Sequence, residues 1–268
     1  MIDPRHIQVP RCLNCSAELT DQYCSRCGQR RISPHDLSAR RFVRDLADEI
    51  ARVHSNFRIL HSLRGLLVPG LLTTEYLAGR RRAHLSPIKV YLVCATIFFL
   101  SAPVAGFRLA AMVEADPSGS LGRLVSARVA DRGIDRSLFS ARFDVRVQSV
   151  YTVSVGCGAI VIALVLQWLF RRAQWPYGAH LGFALHYVSF MYLVTVAAGV
   201  SRALGVSTDA AVLSAYAVIV PYLLLALKRV YSQSNAIILL KACPLLIVTL
   251  AVNNVASLVA IRLTLVIV

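Results

Sequence analysis

Four cysteines open the chain in two Cys-x-x-Cys pairs, Cys12 with Cys15 and Cys24 with Cys27, separated by eight residues. An x-x spacing turns both sulfurs of a pair toward one point. Two such pairs offer four soft ligands in a tetrahedron, the arrangement zinc prefers. The spacing predicts a structural zinc ribbon over residues 12–29, with Gly28 in the tight turn of the second knuckle. Zinc saturated by four thiolates has no open position, so it shapes the chain and activates no water. Other readings compete. Iron fits the same cage chemically. Disulfides need an oxidising compartment. Thioredoxin-like redox chemistry needs a strand–helix setting that so small a module lacks. Zinc is preferred to all three.

Other residues able to do chemistry are few. Arg80, Arg81 and Arg82, with Lys89 just beyond, form a cationic cluster suited to lipid headgroups or to a partner. His180 and His186 lie in an apolar stretch, six apart and so on different helical faces, which favours packing over ligation. Asn253 and Asn254 sit in the middle of another apolar stretch, where amides usually bond between helices. No Asp or Glu falls inside an apolar stretch, which counts against a proton- or cation-coupled transporter. No phosphate-binding glycine loop, zinc-protease motif or carboxylate pair is present.

The elements that must position these residues are set by composition. The chain has 268 residues, 56% hydrophobic and only 16% charged, with a mean hydropathy of +0.59, the profile of a membrane protein. The expected fold class is mainly α: a polytopic α-helical membrane protein with a small N-terminal four-cysteine zinc ribbon and cytoplasmic amphipathic helices. Three regions are expected: the ribbon at 1–31, amphipathic helices over 32–86, and a transmembrane domain over 87–268. Five spans are expected at 88–107, 148–170, 180–201, 210–227 and 242–261, with an outer loop over 108–147. No secretory signal peptide is expected, since the first 85 residues hold no long apolar run.

Within the middle region, Ser33, Pro34 and Asp36 carry a helix-start signature. Val43, Leu46, Ile50, Val53, Phe57 and Leu60 then recur at spacings of three and four. They form one apolar stripe, expected to pack on protein in preference to lying on the bilayer. Pro69-Gly70 breaks the chain, and a short helix follows, ending near Gly79.

Charge sets the orientation. Fifteen Lys and Arg precede the first span, counting Lys89 at its entry, and the loops after spans two and four carry Arg171, Arg172, Lys228, Arg229 and Lys241. The positive-inside rule then places the N-terminus in the cytoplasm and the C-terminus outside. The outer loop has seven arginines against five acids, but its length weakens the rule there.

The segments CLNC and YCSRCGQ, followed by FRILHSLRGLLVPGLLTTEYLAGRRRAHLSPIKVYLVCATIFFL, resemble a bacterial membrane family catalogued as domain of unknown function 3667. The matching positions are Leu66, Leu67, Pro69, Gly70, Tyr76, Leu77, Gly79, Arg80, Arg81, Pro87, Tyr91 and Leu92, so the resemblance spans roughly 12–100. Ser16 departs from the glycine often found in a knuckle. The resemblance implies a bacterial inner membrane, in which the charge rule makes the C-terminus periplasmic, and it implies no activity. The leading functional expectation is an adaptor or regulator whose ribbon docks a cytoplasmic protein. A transporter or lipid-handling protein comes second and an enzyme last. Lipid bilayer and protein are the expected partners, and nucleic acid is disfavoured.

Overall fold

The computed structural model describes residues 11–31, 56–101 and 119–268. The expected helix start at Ser33 and most of the amphipathic stripe fall outside these residues. Eight α-helices are described: α1 Asn56–Leu67, α2 Leu71–Leu77, α3 Pro87–Leu100, α4 Ser120–Arg132, α5 Arg136–Leu169, α6 Tyr177–Ala203, α7 Thr208–Tyr231 and α8 Asn235–Ile267. Among the described residues there is no strand, only two isolated bridges inside the cysteine module. The protein is mainly α and polytopic.

Four helices, α5 to α8, are long and apolar enough to cross a membrane. They correspond to the expected second to fifth spans. α3 is apolar but 14 residues long, about 21 Å at 1.5 Å per residue, short of a roughly 30 Å hydrocarbon core. Residues 102–107 of the expected first span lie outside the described residues.

α6 is the hub. It packs on α3, α5 and α7, and α1 and α2 touch it as well. Its sequence explains that position: small and aromatic residues alternate around its first half, where Gly178, Ala179, Gly182, Phe183, Ala184, Tyr187 and Phe190 are all buried. α8 packs chiefly on α5, and many of its large aliphatic side chains, Leu240 and Ile247 among them, face outward as lipid-facing side chains do.

Gly133 caps α4 in the left-handed conformation, and the Asp135 carboxylate accepts from the Ser137 and Leu138 amides to start α5. From there α5 runs 34 residues without interruption, about 50 Å. Residues 136–147 of the expected outer loop are therefore the first turns of this spanning helix.

The chain alternates ends. The ends of α5 and α7 meet the starts of α6 and α8 in an aromatic cluster, where Tyr231 stacks on Phe170 and Trp175 with centroids 3.7 and 5.2 Å apart. Lys241 lies 4.3 Å over the Phe170 ring. The α1–α2 turn and the cysteine module share this end.

Candidate metal centre and its mounting

Each knuckle folds by the same local rule. The Ser16 amide donates to the Cys12 carbonyl and the Gly28 amide to the Cys24 carbonyl, both at 2.8 Å. The Cys12 amide donates to Ala17 and the Cys24 amide to Gln29. Arg11 and Glu18 bridge across the first turn, and Tyr23 and Arg30 across the second. The residue after each second cysteine must turn left-handed: Gly28 has φ +68° and Ser16 φ +60°. Ser16 thus adopts the conformation its glycine counterpart takes freely.

The two knuckles bring their sulfurs together. Cys12 Sγ lies 3.6 Å from Cys27 Sγ, and Cys15 Sγ 3.6 Å from Cys24 Sγ. All four lie within 4.8 Å of one another. A disulfide needs about 2.0 Å, and all seven cysteines are free. A tetrahedral ion about 2.3 Å from each sulfur sets the sulfurs about 3.8 Å apart. The cluster fits such an ion. The thiols are unequal: backbone hydrogen bonding from Cys27 lowers the Cys24 pKa to about 7, whereas burial, reinforced by the other sulfurs, raises Cys27 to about 12. Four adjacent thiolates need a cation among them. Cys94 is buried among helices, and Cys157 and Cys243 are exposed on spanning helices, so none joins the cluster.

The module has almost no core. Leu19 is buried with Cys12 and Cys24. Its stable contact is with the α2–α3 loop. The Gln29 side chain, 7% exposed, donates from Nε2 to the Gly79 carbonyl at 2.8 Å. Its Oε1 accepts from the Arg81 and Arg82 amides at 3.1 and 3.2 Å. Gly79, at φ +82°, turns the chain after α2. One glutamine thus bonds three main-chain groups of the loop that follows α2. A Cβ on Gly28 would lie 3.5 Å from the Arg82 guanidinium, so arginine and knuckle are already in contact.

The cationic cluster is spread over its own neighbours. Arg80 pairs with Glu75, and its Nη2 donates to Oε1 at 2.6 Å. That pairing holds the Glu75 pKa below the usual carboxylate value. Arg81 lies 4.4 Å over the Tyr76 ring. Lys89 is buried at the start of α3.

Three of the four intramembrane candidates bond between helices. His180 Nδ1 is 2.8 Å from the Tyr231 hydroxyl, joining α6 to α7. His186 Nδ1 is 3.0 Å from Thr73 Oγ1, joining α6 to α2. Asn253 Oδ1 accepts from the Tyr151 hydroxyl at 2.5 Å, joining α8 to α5. Asn254 is exposed and donates to Leu250 of its own helix. Between α5, α6 and α8, Tyr151, Tyr192, Thr249 and Asn253 border a cavity of about 30 Å³, room for about one water molecule.

Tyr222, which no sequence pattern singled out, and Arg229, read in sequence only as an orienting charge, complete the end of the bundle. The Tyr222 hydroxyl donates to the Leu66 carbonyl at 2.8 Å, and Arg229 donates to the Pro69 carbonyl at 2.7 Å. α7 thereby caps the last turn of α1. A Cβ on Gly70 (φ +73°) would lie 3.0 Å from the Ala226 carbonyl oxygen, which accounts for the glycine after Pro69. The stretch from α1 to α3 is therefore a connecting platform, held to α7 on one side and to the cysteine module on the other.

That platform carries a match to a known family model. Residues 57–99 match the family model described as Protein of unknown function (DUF3667). The match covers α2 and nearly all of α1 and α3, together with the motif positions from Leu66 to Leu92. No curated protein and no solved structure matches the chain.

Proposed function

We propose that this is an inner-membrane adaptor or regulator, with a zinc-held head mounted on the cytoplasmic end of its helical bundle. The observation that carries this reading is the Gln29 mounting. It fixes the head's orientation on the platform and leaves Leu13 and Tyr23 pointing outward at 54% and 60% exposure. Apolar side chains held outward on a rigid hairpin are suited to a protein partner. The four thiolates support zinc in a structural role, and folding of so small a module draws on metal binding. The charge distribution supports a cytoplasmic head: Arg171, Arg172, Lys228 and Arg229 flank the helix ends on the same side of the bundle.

Two experiments test it. Purified protein should carry about one zinc per chain by elemental analysis, and Cys24→Ser should lose it. A photo-crosslinking residue at Tyr23 should give one discrete adduct with a cytoplasmic protein in cells, whereas the same residue at Leu213 on α7 should not. No adduct from Tyr23 overturns the adaptor reading. A transporter or lipid-handling protein, with the head as an accessory module, is the alternative.

A further inference from the structure

The end of the bundle remote from the cysteine module has its own concentration of charge. Arg142 and Arg146 are four residues apart on α5, so they lie on one face and repel each other. Ser149 follows on that face. Arg132, from the last turn of α4, reaches the same place and donates to the Val268 and Val266 carbonyls at 2.7 and 3.2 Å. The three arginines and Ser149 line an open cavity of about 580 Å³ against Ile267 and Val268. Among the described residues, no carboxylate pairs with Arg142 or Arg146. Asp144 lies two residues from each and so falls on another face of the helix.

Depth and surroundings narrow what belongs there. After Arg146, α5 has no charged residue through Leu169, so these guanidinium groups sit where the hydrocarbon gives way to headgroups. A second open groove, about 530 Å³, runs along α8 between Val255 and Val266. It is lined by Val259, Leu263 and Arg262 among others, and reaches the last turn of α8, where the first cavity begins. Cations at headgroup depth beside an apolar groove match one class of molecule.

We propose that Arg132, Arg142 and Arg146 bind the phosphate of an anionic glycerophospholipid, with an acyl chain lying along the α8 groove. Guanidinium groups suit phosphate oxygens because their donors are planar and forked. The bound phosphate relieves the repulsion between Arg142 and Arg146. The site is independent of the adaptor reading, since it shares no residue with the cysteine module or its platform.

The test uses full-length protein in mild detergent, titrated with phosphatidylglycerol or phosphatidylcholine and followed by native mass spectrometry. The expected result is preferential binding of phosphatidylglycerol, weakened on the order of 10- to 30-fold by Arg142→Gln with Arg146→Gln. Arg142→Lys with Arg146→Lys should keep most of the affinity, which separates loss of charge from misfolding. Arg171→Gln with Arg172→Gln, at the other end, should leave it unchanged. Equal affinity in the double Gln variant overturns the proposal, as does equal loss in the Arg171/Arg172 variant. Displacement by millimolar inorganic phosphate alone overturns the lipid assignment in favour of a free-phosphate site.

Discussion

The Gln29 side chain donates to the Gly79 carbonyl across fifty residues of sequence and, with its other atom, receives the amides that follow. This bond joins the two halves of the pattern read in the sequence. The Cys-Gly-Gln that ends the second knuckle and the Tyr-Leu-x-Gly-Arg-Arg before α3 are two sides of one contact. Gln29→Ala should leave the Arg82 amide without its acceptor and the Arg81 amide with only the Gly79 carbonyl, at a cost of about 1–3 kcal/mol. Amide exchange at 79–82 should rise while zinc content stays the same. Loss of zinc together with the clasp would show that the knuckle depends on the mounting.

Gly70 meets two demands at once, a left-handed φ of +73° and the nearby backbone of Ala226. Gly70→Ala should cost about 2–4 kcal/mol in detergent unfolding, combining backbone strain with overpacking. Ala226→Gly should not rescue it, because the obstructing atoms are main chain. Rescue would refute this account.

Asn253 and its neighbour Asn254 differ in direction, not in chemistry. Asn253→Ala removes the acceptor of the Tyr151 hydroxyl and should cost about 0.5–1.7 kcal/mol, the range for hydrogen bonds between helices in membranes. Asn254→Ala should cost nearly nothing, since its amide serves its own helix. Equal effects in the two variants would contradict the α5–α8 bond.

His84 supplies a pH dependence. Burial, then the neighbouring His61, keeps its pKa below the usual 6.5, with Arg58 and Arg80 acting in the same direction and Glu75 opposing. The two histidine rings stack at 4.6 Å. Between the folded pKa and 6.5 the unfolded chain binds more protons, so stability should fall as pH drops through that window. Thermal melts from about pH 7.5 to 5 should show this slope, and His84→Gln should flatten it. An unchanged slope in His84→Gln would assign it to other groups.

Ser16 occupies a left-handed position that glycine takes without strain. Ser16→Gly should stabilise the metal-bound head by about 0.5–1 kcal/mol, the relief of strain less the added entropy of the unfolded chain. Slower zinc loss to a chelator would measure the gain. Faster loss would mean that the serine hydroxyl contributes to the fold.

Local spacing and transfer energy make part of this protein legible from its residues. Two x-x pairs converge on one point because each knuckle closes with its own backbone bonds, as Ser16 to Cys12 and Gly28 to Cys24 do. Apolar runs of span length become helices because a single segment satisfies its own backbone in lipid only as a helix, and the expected spans from 148 to 261 overlap α5 to α8. Which side chain meets which depends instead on how the helices pack. Asn253 and Asn254 read alike in sequence, and the α5–α8 contact places one on Tyr151 and leaves the other exposed. The reach of α5 back to Arg136 escaped the hydropathy reading because its polar first turns extend beyond the apolar run, starting from the Asp135 cap. Gln29 reads in the sequence only as the residue after the knuckle glycine, with no sign of its partners. Its three partners lie at least fifty residues away, and a hydrogen bond at that separation depends on where the fold brings the chain back.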